Sequence, residues 1–527
     1  MSFLPALISW LKRNRTSVRM AFVLQMVAKA AGSCFSLIWM PLLIRSMGDP
    51  LFGLFQSFQK LTRLGSLGDF GITGALSLKV GVLLGRGDDS GLRSLLASAR
   101  TLFLLLSGGL CILFIGLSPW LRYWLNFAGV PGAGSMTLLF VYGGFSLWLF
   151  LIGGYFASLN YAHGTVTWPI LPTILCAQIL APFFHWRLAL LHAPLWVQML
   201  PYLASAFLLT VLAWCMLKWS HPWMGALRPL ACDRKEWKTL GGASWWAYLV
   251  SVGTAIYVAT DFLVISAVIG TGVISMYQAN YKACELAVTL IVTATFVGAP
   301  KLTQWMASPQ EADRKRLLTQ LKRLSAFEVV LGTGAVLGYI AFNNLFVGLW
   351  IDKAHQAPLS LQFAFAGNLA VTVCGNAGIQ LSMRSGDRGL RLGGLAVAGT
   401  GLLNLALSIL SVKLVSIYGE TFAITGVAAA TVLAQSVSSL CLGTVTCRYL
   451  GLSPVRWAAR CWLLPLACTA AAAVLKLLFP NDSPAHLGML AGCYMVIFLA
   501  VCWFAGLTRE MLQSEFQKVM GMLRRGA

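Results

Sequence analysis

Long apolar runs, separated by short polar clusters that are mostly basic, organise this chain from end to end. A hydrocarbon core about 30 Å thick is crossed by roughly 20 helical residues, each rising about 1.5 Å. Fourteen runs reach that length: residues 20–44, 51–78, 99–117, 135–159, 165–186, 194–217, 240–268, 273–299, 324–350, 358–383, 390–412, 420–446, 457–479 and 485–507. Each predicts a membrane-spanning helix. The first run is too long for a signal-peptide core and no small-residue cleavage site follows it, which predicts an anchor that is retained. Residues 1–19, ahead of it, pattern as a short amphipathic segment lying on the cytoplasmic membrane surface.

Composition narrows the class. Of 527 residues 58% are apolar and 11% charged, against about a quarter charged in an average soluble domain. The expected fold class is therefore an all-α membrane protein. Lys and Arg number 39 against 17 Asp and Glu, a net charge of +22. With the N-terminus inside, 29 of the 39 cations fall on the cytoplasmic side (residues 1–19, 79–100, 218–238, 301–323, 384–391, 448–460 and the tail from Arg509). Six fall outside: Arg45, Arg122, Arg187, Lys353, Lys413 and Lys476. That asymmetry places both termini in the cytoplasm and makes a nucleic-acid partner unnecessary. The 13 Cys lie singly, mostly inside apolar runs, and form no metal or disulfide framework. No Gly-Lys dipeptide occurs, so there is no P-loop, and no H-E-x-x-H zinc motif is present. Every loop is too short for a catalytic domain. The reading is a non-enzyme without a cofactor or metal.

Sliding the chain on itself by 222 residues superposes 45–100 on 267–322 without a gap. Gly48, Gln56, Lys60, Leu64, Thr73, Lys79, Leu95 and Leu96 then meet Gly270, Gln278, Lys282, Leu286, Thr295, Lys301, Leu317 and Leu318. An offset of six spans keeps orientation, so parallel repeats are expected. The resulting organisation is a first lobe at 20–218, a cytoplasmic linker at 219–238, a second lobe at 239–447, two further spans within 448–507 and a cytoplasmic tail at 508–527.

Once the loops are assigned, four cations and three clear anions stand inside spans: Lys29, Lys60, Arg63 and Lys282, and Asp69, Asp261 and Glu285. Each costs about 2.5–3.5 kcal/mol at the bilayer centre even on lenient insertion scales, so each should face a polar cavity or a partner. Gln56, Lys60 and Arg63 follow i, i+4, i+7 and share one helix face; the repeat gives Gln278, Lys282 and Glu285 the same face. Gln25, Lys29, Ser33 and Ser36 form a third stripe. Lys29 could instead reach an interface with its long stem, and Lys282 with Glu285 could be an ordinary i, i+3 ion pair. Neither Lys60 nor Arg63 has an acid three or four places away. Guanidinium bonds phosphate oxygens in pairs and ammonium adds compact charge, so such a pair suits an anionic ligand, a phosphate or pyrophosphate. Lys29, Lys60, Arg63 and Lys282 are thus the candidate cationic cavity between the lobes, with Gln25, Gln56 and Gln278 as polar lining. Asp69, Asp261 and Glu285 are candidates for binding a coupling proton or sodium ion, or for plain helix-to-helix pairing.

The stretch from Pro41 through Gly48, Gly53 and Gln56, then Leu67-Gly-Asp69-Phe-Gly-Ile72, resembles the opening of the polysaccharide-exporter family that contains the Wzx O-antigen flippases. Thr260-Asp261 to Ser266, with Gly270 and Tyr277-Gln278, is similar to that family's second-lobe signature. The resemblance extends along nearly the whole chain and places it in the MOP superfamily. It implies a V-shaped, MATE-like transporter of about 14 transmembrane helices, two six-helix lobes plus two C-terminal helices. The implied cargo is an undecaprenyl-pyrophosphate-linked glycan moved from the cytoplasmic to the periplasmic leaflet of the bacterial inner membrane. Membrane lipids, and a glycan polymerase and chain-length regulator, are the implied partners. A flippase for the peptidoglycan precursor lipid II and a drug exporter are rivals within the fold. A glycan-transferring enzyme would need clustered external acids, and Asp49, Asp352, Glu420 and Asp482 are scattered in sequence.

Overall fold

The described residues of all fourteen apolar runs are mainly helical in the computed structural model of the chain. It describes residues 18–504, apart from 87, 128, 163–169, 221–232, 243–244, 297–301, 303–304, 306–309, 374–375, 377–385 and 479–483. The surface segment expected at 1–19 (through residue 17), most of the linker at 219–238 and the tail at 508–527 lie outside the described residues. No strand occurs among the described residues. Hydrocarbon supplies no hydrogen-bond partners, and a helix closes its backbone bonds within one segment.

The chain divides into two compact units after Ser275. The first contains α1 (Val18–Met47), α2 (Asp49–Gly65), a 3-10 turn (Ser66–Asp69), α3 (Ile72–Arg86), α4 (Asp89–Gly116) and the short α5 (Ser118–Trp124). It continues through α6 (Met136–Ala162), α7 (Ile174–Leu190, opening with the π-helical stretch Ile174–Leu180), α8 (Leu200–Ser220), α9 (Arg234–Gly242) and α10 (Trp245–Val268). One core cluster joins Leu76 and Val80 of α3, Leu92, Leu96 and Phe103 of α4, Leu151 and Tyr155 of α6, Leu217 of α8 and Leu240 of α9. Packing groups α10 with this unit, beyond the range 20–218 that the repeat assigns to the first lobe, because α10 lies along α2.

The second unit opens within α11 (Ile274–Phe296) and holds α12 (Glu311–Trp350), α13 (Leu359–Val373), α14 (Gly386–Val415), α15 (Glu420–Leu450), α16 (Pro454–Leu478) and α17 (Pro484–Phe504). Here α12 packs on α13, α16 and α17, and α15 packs on α13 and α14. A cluster of Val329, Val330, Val371, Cys461, Trp462 and Val501 seals the contact of α12 with the last two helices.

The repeat has a backbone counterpart. Gly48 and Gly270, superposed by the 222-residue shift, both take left-handed φ angles, 75° and 121°, where glycine is favoured. Asp88 and Gln310, superposed by the same shift, are the N-caps of α4 and α12.

Among the described residues nine helices are long and apolar enough to cross a membrane. The second expected span, 51–78, is not one continuous helix. It breaks between Gly65 and Ile72, where Phe70 and Gly71 are left-handed at φ 49° and 71°. Glycine lets this segment sit close to its neighbours: a Cβ on Gly65 would overlap Leu147, and one on Gly68 would overlap Leu110. Gly53 is tighter still, since a Cβ there would overlap the backbone carbonyl of Thr271, just past α10. Backbone cannot rotate away as a side chain can. Gly53→Ala should therefore cost about 1–3 kcal/mol or more, as core overpacking does. It should lower the thermal midpoint in detergent, whereas Gly74→Ala, facing open space on α3, should leave it unchanged or slightly raised.

Candidate functional site

The cationic stripe survives as a stripe because the break falls after it. Asp49 favours the positive N-terminal end of α2, and the helix runs unbroken through Gln56, Lys60 and Arg63. The opposite face is locked into apolar packing. Phe55 meets His185 edge-on at 4.6 Å between ring centres, and Phe58 meets Phe140 at 5.4 Å. Leu51, Phe52, Leu54 and Leu61 are buried beside them. Gln56 and Lys60 are half-buried and Arg63 is exposed. The stripe thus becomes more open toward the break.

α10 supplies the neighbouring wall. The Lys60 ammonium stands 4.6 Å from the centre of the Phe262 ring, a cation–π contact worth about 0.5–2 kcal/mol. Phe262 is buried, as is Asp261 one residue earlier. At the break Phe70 packs on Tyr248 of α10, with ring centres 5.3 Å apart. Farther along, the Ser266 hydroxyl donates to the carbonyl of Leu125 over 2.7 Å, inside the protein.

Asp69 ends the 3-10 turn at the break. One carboxylate oxygen accepts from the Thr73 backbone N–H at 3.1 Å and from the Thr73 hydroxyl at 2.7 Å. It caps the start of α3, work that any broken span must provide because first-turn N–H groups have no intrahelical partner. Lys29 is exposed on α1, where Ser36 bonds the carbonyl of Ser33 at 2.7 Å; the Gln25 side chain lies outside the described residues.

In the second unit Lys282 and Glu285 form the i, i+3 ion pair, 2.7 Å from Nζ to Oε2. Gln278, one turn earlier, is buried, and its Oε1 has no hydrogen-bond partner among the described residues. The adjoining face of α11 is held in place. Tyr277 meets Phe365 edge-on at 4.9 Å. Asn280 donates to the carbonyls of Met276 and His355, both at 2.8 Å, and accepts from Asn343 at 2.7 Å.

Three features escaped the sequence reading. Glu328 on α12 is fully buried and accepts from the Asn376 amide at 3.1 Å; the signal was there, a lone acid in Ala-Phe-Glu-Val-Val. His185 is fully buried and bonded to Tyr202 and Gln198, each at 3.2 Å. Lys476, read as a loop cation, is buried in the last turn of its helix. No group of three or more His, Cys, Asp or Glu that could hold a metal occurs among the described residues.

Three solved structures share this arrangement of helices. The lipid II flippase MurJ in an inward closed conformation matches with a TM-score of 0.66 over 91% of this chain and 98% of its own, at 15% identity. An inward-facing multidrug transporter of the MATE family, in the MOP superfamily, matches at 0.61 over 81% and 94%, at 13% identity. A MOP-superfamily transporter from Pyrococcus furiosus, whose binding pocket has reversed polarity, matches at 0.53 over 82% and 95%, at 12% identity. This chain has the fold of those transporters. Neither a protein-family model nor a curated protein sequence matches it.

Two expectations test the local geometry of this transporter fold. Asp69→Ala removes the cap and should cost about 1 kcal/mol, seen as a lower thermal midpoint, while Asp69→Asn keeps an acceptor and should stay near wild type. In the α12–α13 loop, the His355 ring bond of 2.7 Å to Asp352 holds that carboxyl below its ordinary value. Its stabilisation is therefore present above the ordinary carboxylate pKa and lost as pH falls through the lowered one. Below about pH 4, the thermal midpoint of wild type should fall faster than that of Asp352→Asn.

Proposed function

We propose that this protein is a flippase that moves an undecaprenyl-pyrophosphate-linked oligosaccharide, of the O-antigen repeat-unit type, from the cytoplasmic to the periplasmic leaflet of a bacterial inner membrane by alternating access. The observation that carries the reading is the pair Lys60 and Arg63 on one face of α2, inside a span whose other faces are packed and apolar. Two cations one turn apart repel each other, and a diphosphate bonded to both offsets that repulsion. Arg63 offers paired N–H donors to phosphate oxygens and Lys60 a compact charge held over Phe262. Gln56 lies on the same face to bond sugar or phosphate oxygens.

On this reading Lys282 contributes a further cation, released to the cargo from Glu285, and Lys29 a fourth. Asp261 and Glu285 are the carboxylates available to carry a coupling proton or sodium ion. On the same reading both termini lie in the cytoplasm, which the cation distribution favours, and a glycan polymerase and chain-length regulator receive the cargo outside. A lipid II-type cargo is the second reading: the match to the lipid II flippase extends over 91% of this chain and that to the multidrug transporter over 81%. Either cargo presents the same lipid-linked diphosphate to the stripe.

The double variant Lys60→Ala/Arg63→Ala should lower surface glycan at least about tenfold, the loss expected when roughly 1.4 kcal/mol or more of binding or barrier energy is forfeited, with the protein level in the membrane unchanged. Normal surface glycan in that variant overturns the proposal. Depleting the wild-type protein separates the two cargoes: loss of glycan with continued growth marks an O-antigen-type cargo, and lysis marks a peptidoglycan precursor.

A further inference from the structure

The short helix α5 takes no part in the cationic stripe, and its surface is unusual. It follows α4 after the single residue Leu117. The hydrogen-bonded path hardly breaks there, since Leu117 N–H bonds the Leu113 carbonyl at 2.9 Å and the Leu117 carbonyl accepts from Trp120 and Leu121 at 3.1 and 3.0 Å. The outward face of α4 is therefore carried into α5. Down α4 that face shows Leu105, Ile112 and Leu113, the exposed apolar side chains of a membrane span. In α5 it becomes aromatic: Trp120, Tyr123 and Trp124, at i, i+3 and i+4, are 64%, 66% and 65% exposed. The two indoles stack with centres 5.7 Å apart and planes 5° from parallel. Arg122 lies over the Tyr123 ring at 4.7 Å and donates to its hydroxyl at 3.2 Å.

The other side of the helix is fastened down. Ser118, Leu125 and Phe127 are buried, and the Leu125 carbonyl receives the Ser266 hydroxyl from α10. The aromatic face is thus held rigidly outward at the end of α4 remote from Arg93 and Arg100. We infer that this face is a docking surface for the membrane itself: Trp120, Tyr123 and Trp124 sit in the headgroup layer of the leaflet opposite the basic loops, and Arg122 bonds a phospholipid phosphate. Continuity with the lipid-facing stripe of α4 selects lipid as the occupant. Amphipathic rings with one apolar body and one polar edge settle at that depth, and guanidinium matches the phosphate there. A sugar platform would need polar side chains around the stacked indoles. On α5 only Ser118, Arg122 and Tyr123 are polar, Ser118 is buried, and Tyr123 is engaged by Arg122.

Photocrosslinking tests this on the full chain, reconstituted in vesicles of phosphatidylethanolamine and phosphatidylglycerol. Trp120→p-benzoylphenylalanine, Tyr123→p-benzoylphenylalanine and Trp124→p-benzoylphenylalanine each replace one exposed ring by another of similar bulk. Irradiation should give phospholipid adducts at all three positions, attached at the glycerol or upper acyl carbons, and none from the same replacement at buried Phe127. Arg122→Gln should reduce the phosphatidylglycerol share of the adducts at least twofold. Absence of lipid adducts in folded protein, attachment near the acyl termini, or adducts to added glycan or to a second protein chain instead of lipid would each overturn the inference.

Discussion

Hydrocarbon gives a polypeptide nothing to hydrogen-bond and nothing to screen a charge, and that constraint shapes every part of this chain that departs from plain apolar helix. A break in a span must bring its own capping groups, as Asp69 does for α3. A lysine in mid-span must find a ring or a carboxylate, as Lys60 finds Phe262 and Lys282 finds Glu285. Removing one partner from such an arrangement costs more than the contact itself contributes, because the other partner is then stranded in a medium that cannot solvate it.

Seen this way, the tight backbone approach of Gly53 to Thr271 and the cationic stripe belong to one design. α2 can carry two positive charges on one face only because its remaining faces are anchored by large apolar packing, with Phe55 and Phe58 as the main wedges. α10 supplies the ring that steadies Lys60, and Thr271 just past its end makes the close contact. The second unit fixes its equivalent helix by other means, through the polar cluster around Asn280 and the Tyr277–Phe365 edge contact. The residues Gly48 and Gly270, matched by the 222-residue shift, share a left-handed backbone turn although the packing of the helices that follow them differs.

Much of this was legible in the order of residues. Span positions follow from apolar run length, because crossing a bilayer is a one-dimensional requirement. The Gln56-Lys60-Arg63 face follows from helical spacing, and the Lys282–Glu285 pair from i, i+3 geometry. What could not be read was tertiary. An apolar run says nothing about whether the helix through it is straight, so the break at Phe70-Gly71 was invisible even though three glycines mark it. The capping role of Asp69 depends on that break. The buried hydrogen bonds of Glu328 and His185 could not be read either, because their partners Asn376 and Tyr202 come from elsewhere in the chain.

The Ser266–Leu125 hydrogen bond has a mechanical consequence. It couples α10 to the residue that follows α5, and α10 in turn packs along α2, with Thr271 just past its end pressed against Gly53. These three helices therefore ride as one raft. In a thinner or thicker bilayer the raft would rise or sink as a whole to relieve hydrophobic mismatch, since a single helix cannot tilt free of the others. The vertical position of the Lys60 charge is consequently set by where the far end of the raft comes to rest, tens of residues away in sequence.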